Sequence, residues 1–319
     1  MEFSTATLKA LVDLARKGES RTRPNPPVGA FVLDAQGVVV GKGYHRRAGM
    51  NHAEVEAIAD WKKRNPKAAA HTLLVTLEPC SRPGRVGACT DAIIAAEIPR
   101  VVYLCRDPNP KNRDKAKRTL AHHGIECRHL KFAPAEELIR PFAKHVTTGM
   151  PYVTVKLAMS LDGRIADGCG DARWVSSEKS RKRTGKLRER VDAIMVGGET
   201  VRRDNPSLLP HVKANPHLVR VVVSKSGKLP PDAQVFSDGK NETLVYRDAV
   251  EAVRDLGRRG MMHVLCEGGL KLATSLAEAG LVDEWLTVLC PKVIGTRRIG
   301  EAVVFGGGKT EDVFVCSRA

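Results

Sequence analysis

Aromatic residues are scarce in this chain: seven Phe, three Trp and four Tyr make up only 4% of its 319 residues. Proteins that hold single-stranded nucleic acid stack successive bases on such rings, so a base-stacking platform is poorly supplied. Long hydrophobic runs are lacking too. No segment approaches the ~18 consecutive apolar residues that a membrane span needs, and the opening MEFSTATLKALVDLARKGES reads as a charged amphipathic helix, not a secretion signal. The expected location is the cytoplasm, with no membrane partner. Disulfide-framework spacing is also missing. The eight cysteines (80, 89, 105, 127, 169, 266, 290 and 316) are scattered, and in a reducing compartment most are expected to be free thiols, so any unusual pair becomes a metal candidate. Only Cys80 and Cys89 stand out.

A chain with 42% hydrophobic and 28% charged residues is a soluble globular protein, and 319 residues exceed one typical core, so two domains are expected. The net charge of +16 suits a polyanionic partner. Lys and Arg are nevertheless spread from Arg16 to Arg318, and the densest run, SEKSRKRTGKLRER, suits a solvated helix face or a phosphate-binding face equally well. The charge is read mainly as a bias toward phosphorylated small molecules. A basic nucleic-acid-binding or nucleic-acid-editing protein is the rival from another class, disfavoured by the missing aromatics.

Both halves alternate helical and extended patterns. TLKALVDLARKG is helical, VGAFVLDAQGVVVGKGYH reads as strand, turn and strand, VEAIADWKKR is helical, and HTLLVTLEPC is a buried strand running into Cys80. TDAIIAAEI (helix), RVVYLCRDP (strand) and AKRTLAHHG (helix) follow, predicting an α/β/α layer whose sheet is mostly parallel after the opening hairpin. VTTGMP, residues 146–151, breaks the pattern as a linker, giving domains over 1–147 and 151–319. The second half restarts with YVTVKLAMS and continues through the helix SSEKSRKRTGKLRERV to the strands DAIMVGG, LVRVVVS, ETLVYR, MHVLCEGG and DEWLTVLCPKVIG, again an α/β domain.

His52, Cys80 and Cys89 supply the three protein ligands of a catalytic zinc site, which keeps its fourth position open. Eight residues rich in Gly and Pro separate the cysteines, enough to bend both thiolates to one ion. On a regular helix His52 and Glu54 would point about 200° apart, so the geometry works only if HAE occupies an irregular first turn. Glu54 is then expected beside the metal without ligating it, as the carboxylate that shuttles a proton in hydrolytic removal of an aromatic amine. Zinc deaminases carry H-x-E followed by P-C-x-x-C; here HAE and EPC match and the second cysteine lies farther along. A purely structural zinc site is the competing reading.

That longer spacing carries a resemblance. TRPNPPVGAFV, GKGYHRRAGMNHAEVEAI, VTLEPCSRPGRVGACTDAII and VVYLCRDPNP together resemble the deaminase half of the bifunctional riboflavin-biosynthesis deaminase/reductase family, over most of residues 1–147. The resemblance implies a cytidine-deaminase-like α/β/α fold, a Zn2+ ion, and a small phosphorylated pyrimidine as substrate, 2,5-diamino-6-(5-phosphoribosylamino)pyrimidin-4-one. It places Asn25, His45, Arg85, Asp107 and Asn109 where the family touches base, ribose or phosphate. Each also has a structural reading: Asn25 between prolines shapes a turn, Asp107 and Asn109 in DPNP cap a helix, and His45 and Arg85 are solvated. Arg82 stands where the family usually has histidine.

Residues 151 to about 297 resemble the reductase half of that family, on PYVTVKLAMSLDGRIA, ARWVSSEKSR, LRERVDAIMVGGETVRRDNPSL, EGGLKLATSLAEAGLVDE and CPKVIG. This implies a dihydrofolate-reductase-like α/β fold that uses NADPH to reduce the ribosyl carbon. EGG between a strand and a helix lets backbone approach a pyrophosphate at a helix N-terminus. The resemblance sets Ala158, Trp174, Thr200, Asp204, Gly269, Leu270, Lys271, Leu272, Ala273, Thr274 and Ser275 along the cofactor, and Lys156, Arg188, Leu208, His211 and Glu267 toward the phosphoribosyl substrate. Three positions depart from the pattern: Ala172 replaces a common serine, Leu209 a threonine and His211 an arginine. Losing a phosphate-facing arginine removes a fixed two-pronged donor, so a deaminase with a non-catalytic second half is the competing enzyme reading. Two-domain enzymes of this kind often form homo-oligomers.

Overall fold

A computed structural model describes residues 3–82, 87–211, 213–296, 298–304 and 311–318. The chain divides into two compact units, Met1–Gly149 and Met150–Ala319.

The first unit opens with α1 (Thr5–Arg16), started by Ser4, whose hydroxyl accepts the Thr7 amide at 3.0 Å. Leu8, Leu11, Val12 and Ala15 recur at helical spacing and are buried. β1 (Gly29–Leu33) and β2 (Val39–Tyr44) form the expected hairpin, its turn held by Asp34 accepting the amides of Gln36 and Val38. α2 (Ala53–Arg64), β3 (Thr72–Val75), α3 (Cys89–Ala95), β4 (Arg100–Tyr103), α4 (Lys115–Ala121) and β5 (Glu126–His129) follow, and α5 (Ala133–Leu138) and α6 (Arg140–Thr148) complete the unit. The sheet order is β2-β1-β3-β4-β5, antiparallel up to β3 and parallel from β3 to β5. Gly29 faces α1, while Gly43, the cross-strand partner of Ala30, faces α2. Successive strand residues point to opposite faces, so the two helices cover opposite sides and the layering is α/β/α.

Two expectations need correction. The strand into Cys80 stops at Val75, after which Thr76 and Glu78 bond outside the ladder to Gly29 and Cys105 carbonyls, so Cys80 lies on a loop. The proposed linker at 146–151 is helical in its first half: α6 runs through Thr148 and ends where Gly149 takes φ +74°, its amide bonding the His145 carbonyl at 2.8 Å.

The second unit contains β6 (Tyr152–Ser160), α7 (Glu178–Arg188), β7 (Ala193–Gly197), α8 (Gly198–Asp204), β8 (Val219–Val223), α9 (Gln234–Ser237), β9 (Thr243–Tyr246), α10 (Ala249–Arg258), β10 (His263–Cys266), α11 (Leu270–Glu278) and β11 (Glu284–Cys290). It closes with the short pair β12 (Lys292–Val293) and β13 (Val303–Val304) and the strand β14 (Val313–Arg318). The main sheet runs β14-β11-β6-β10-β7-β8-β9, parallel throughout except for the antiparallel edge β14. Along β7, Ala193 and Met195 join one core cluster with α10 and α11, whereas Ile194 and Val196 join another. A strand buried on both faces reads as a continuous apolar run, as this one does. Arg220, 1% exposed on β8, bonds Asp238 at 2.7 Å and the carbonyls of Ser207 and Asn241, tying two loops to the sheet.

Candidate active site

In the first unit the chemistry gathers where α2 begins. His52 is the N-cap of α2 in extended conformation (φ −72°, ψ 164°), not a helical residue. That break lets His52 and Glu54, two positions apart, turn to the same pocket, which a regular helix forbids. Cys89 is the first residue of α3 and Cys80 lies on the loop after β3. His52 Nδ1 stands 3.1 Å from Cys89 Sγ and 3.5 Å from Cys80 Sγ, and the two sulfurs are 3.3 Å apart. Bond lengths of about 2.3 Å to sulfur and 2.0 Å to nitrogen in a tetrahedron give edges of roughly 3.5–3.8 Å, so the triangle fits zinc. No other such group of donors occurs among the described residues. The Cys80 thiol is pulled down to about 4, first by its hydrogen bond with Cys89, while the Cys89 thiol is pushed up by the same bond and by burial. One proton is thus left between two sulfurs, a donor set that a cation completes.

Glu54 is 3% exposed, and burial, reinforced by the charge of Cys80, raises its carboxyl to about 7. Asn25 and His45 join this pocket. His45 Nδ1 donates to the Asn51 carbonyl at 3.0 Å, leaving Nε2 to accept from Asn25 Nδ2 at 3.4 Å, and its ring meets that of His52 edge-on with centroids 5.2 Å apart. Burial lowers the His45 pKa. Asp107 is buried and already engaged: it accepts the Asn109 amide at 2.8 Å and the Asn112 side chain at 2.7 Å. The Asn109 side chain accepts the Lys111 amide at 3.0 Å. Contrary to the structural reading, neither caps a helix, because Asp114 precedes α4; both shape the 105–114 loop instead, and the charge of Cys80 raises Asp107 alongside burial, marking it as a neighbour of the pocket. Arg85 lies outside the described residues, and Arg82 is exposed.

Sequence reasoning missed Glu78 and Asn112. Glu78, 2% exposed, accepts the amides of Asp107 and Ala116, and Asn112 bonds both Asp107 and the Ser81 amide. Together they fix the Cys80 loop to the 105–114 loop. A glutamate directly before PC, at the end of an apolar strand, was the available signal.

In the second unit the carboxyl ends of β7 and β10, neighbours in the sheet, lead into the N-termini of α8 and α11. The N-caps Gly197 and Gly269 have nothing within 4 Å of an added Cβ, so the space ahead of both helices is open. Open strand ends with helix N-termini are where α/β sheets bind phosphates, and the open backbone at Gly197 and Gly269 suits a pyrophosphate group. Thr200 and Asp204 lie on α8, and burial raises the Asp204 carboxyl. Ala158 sits near the end of β6, packed partly against core. Trp174 is 55% exposed, with the Arg181 guanidinium 4.3 Å from its ring centre and Lys292 Nζ donating to its carbonyl. On α11, Leu270, Lys271, Thr274 and Ser275 are exposed, but Leu272 and Ala273 are buried in the core, so these two have only backbone to offer a ligand. Leu208 is likewise a core side chain, at φ +59°.

Arg188 and Glu267 face each other. Arg188 Nε and Nη2 bond the two carboxylate oxygens at 2.8 and 3.0 Å, and Nη1 reaches the Leu209 carbonyl at 3.1 Å. Burial works against the Glu267 charge, but Arg188, Lys156 and His211 outweigh it and hold this carboxyl below its ordinary range. His211 is exposed and packs against Gly185, where an added Cβ would come within 2.5 Å of its ring.

Comparison with known proteins agrees with this division. The family described as the cytidine and deoxycytidylate deaminase zinc-binding region matches residues 1–105, and the RibD C-terminal domain matches residues 151–312. The riboflavin biosynthesis protein RibD of Escherichia coli K12 is 33% identical over 94% of this chain and 90% of its own length. That of Bacillus amyloliquefaciens is 36% identical over 90% and 84%. Among solved structures, a diaminohydroxyphosphoribosylaminopyrimidine deaminase/5-amino-6-(5-phosphoribosylamino)uracil reductase from Thermotoga maritima superposes with a TM-score of 0.86 at 30% identity, covering 98% of this chain and 97% of that one. With relatives matched across both halves at this level, the chain belongs to the RibD family of riboflavin-biosynthesis proteins.

Proposed function

We propose that this chain catalyses two steps of riboflavin biosynthesis on one phosphorylated pyrimidine: hydrolytic deamination in the first unit, then NADPH-dependent reduction of the ribosyl group to ribityl in the second. The observation that carries the deaminase reading is the His52–Cys80–Cys89 triangle with the buried Glu54 beside it. Zinc, when bound, supplies the Lewis acidity that makes water nucleophilic near neutral pH. His52 and the two cysteines hold the ion. Glu54, with a carboxyl near 7, can take a proton from the attacking water and return it to the ring nitrogen and the departing amine. Asn25 and His45 orient the base, His45 as a neutral ring. Arg85, Asp107 and Asn109 complete the substrate pocket in this reading.

In the second unit NADPH supplies the hydride. The open ends of α8 and α11 support its pyrophosphate there, with Trp174, Thr200 and Asp204 alongside. Arg188, paired with Glu267, acts through the pair, while Lys156 offers positive charge and His211 a ring N–H to the substrate phosphate. None of the eight cysteines is paired in a disulfide, which supports a reducing, cytoplasmic location. The edge strand β14 exposes Val313 and Val315, a feature that supports assembly into a homo-oligomer.

The test is metal content and ammonia release for wild type and Glu54→Gln. Both should carry stoichiometric zinc, and turnover should fall ~10²–10⁴-fold in the variant, the usual share of a general acid–base group. Undiminished ammonia release would remove Glu54 from the chemistry. NADPH oxidation by the deaminated intermediate tests the second unit separately, because a non-catalytic domain gives none.

A further inference from the structure

A second concentration of charge lies in the first unit, at the carboxyl ends of β4 and β5. A cavity of about 610 Å3 opens there, within the range of small-molecule sites. Its base holds Tyr103 and His129, the last residues of their strands, cross-strand partners stacked with centroids 5.2 Å apart and planes 26° from parallel. Four permanent cations line it, Arg106, Lys117, Arg118 and Arg128, against one carboxylate, Asp114. Asp114 is shared: Arg106 lies 3.9 Å from it and Arg113 3.8 Å. Lys117 and Arg118, both exposed on α4, have no carboxylate partner among the described residues. Burial, with the charge of Arg106 next, lowers the pKa of His129, so the imidazole adds no further charge at neutral pH.

Like charges brought around one concavity repel, and a concave wall concentrates their field. Such an arrangement is relieved by an anion, and guanidinium groups match phosphate oxygens in geometry. The proposed zinc ligands lie on the starts of α2 and α3 and the loop after β3, and none of them lines this cavity. From the cavity and its excess of cations, we infer a second anion site in the first unit, which takes a small phosphorylated molecule and is separate from the deaminase pocket. Its occupant would touch Arg106, next to Asp107, and α4, whose Ala116 amide is bonded to Glu78. The 105–114 loop therefore joins the two sites.

The probe is pyrophosphate, titrated calorimetrically into the zinc-loaded full chain with NADP+ in excess, which fills the proposed site at α8 and α11. Three forms are compared: wild type, Lys117→Glu/Arg118→Glu, and the charge-preserving Lys117→Arg/Arg118→Lys. Both positions are exposed on a helix, and unchanged zinc content confirms that each variant is folded. Wild type and the charge-preserving variant should show the same saturable binding within twofold, weakening with added salt, and charge reversal should raise the dissociation constant at least tenfold. Absence of saturable binding, or equal binding after charge reversal, overturns the site. A single-stranded oligonucleotide that binds through Lys117 and Arg118 where pyrophosphate does not would overturn the small-molecule assignment.

Discussion

Gly43 offers the sharpest test of how the fold holds the metal pocket. A Cβ at this β2 position would lie 2.3 Å from the Ala57 amide nitrogen, 2.6 Å from the Ala53 carbonyl oxygen and 2.6 Å from Glu56 Cβ. Two of those three atoms are backbone of the first turns of α2, so no side-chain rotation relieves the clash. Normal contact starts near 3.4 Å, so α2 must retreat by about 1 Å, a displacement that at a catalytic centre can cost ~10²-fold in rate. The overpacking itself costs about 1–3 kcal/mol. Gly41→Ala is the matched control: its Cβ meets the same helix about one turn later, at Ala57 O and Trp61 Cβ, both 2.5 Å away, a turn farther along α2 from His52 and Glu54. Urea unfolding should show comparable destabilisation in the two variants. Zinc content and ammonia release should collapse in Gly43→Ala and fall much less in Gly41→Ala. Full zinc occupancy and turnover within twofold of wild type in Gly43→Ala would refute the idea that close approach of β2 and α2 positions the ligands.

Two further outcomes concern the second unit. Glu267→Gln removes the partner of a guanidinium only 14% exposed, and should cost about 3–5 kcal/mol of unfolding free energy because a buried charge is left unpaired; replacing Arg188 and Glu267 together with Met and Leu should cost much less, and equal losses would contradict the pairing. His263 bonds Thr154 Oγ1 at 3.0 Å, and that hydroxyl donates to Glu284 at 3.1 Å, so the neutral ring must donate through Nε2. Burial lowers its pKa from the ordinary 6.5 despite Asp192, Glu284 and Asp283 nearby. The unfolded chain then binds the proton more readily, so stability should be full above pH 6.5 and decline as pH falls below it. Chemical denaturation of wild type and His263→Gln between pH 7.5 and 5 (about the titration range of histidine) should show a weaker pH slope in the variant; identical slopes would exclude His263.

What could be read from the sequence follows from how local its cause is. α1 and the β1–β2 hairpin were legible because the apolar periodicity and the intervening turn sit within the segment itself. The zinc ligands were legible because their chemistry demands specific residue types at specific intervals. β5, α5 and α6 were not read, since ECRH is half polar and APAEEL and RPFAKHVTT are short, with proline near each helix start. β5 is an edge strand and needs β4 to define it. The roles of Glu78 and Asn112 depend on loops brought together across the fold, and no spacing within either loop announces that. Leu208, Leu272 and Ala273 illustrate the converse limit: a family motif places the residue, while packing decides whether its side chain or only its backbone faces a ligand.

The two units treat buried charge in opposite ways, and the difference bears on what each ligand does to the protein. In the second unit the charges are matched internally: Arg188 with Glu267, Arg220 with Asp238. A cofactor at the proposed site on α8 and α11 would meet helix N-termini and open space, and little need be rearranged. In the first unit, two sulfurs, an imidazole and the buried Glu54 crowd one pocket and shift one another: the Cys80 thiol is pulled down, the His52 ring is raised by its bond with Cys80, and Glu54 is raised by burial. A divalent cation held by His52, Cys80 and Cys89 would tie the starts of α2 and α3 to the loop after β3. Because a ligand that favours the folded state adds to its stability by mass action, zinc in this unit is at once a reagent and part of the architecture, whereas the cofactor of the second unit is chiefly a reagent.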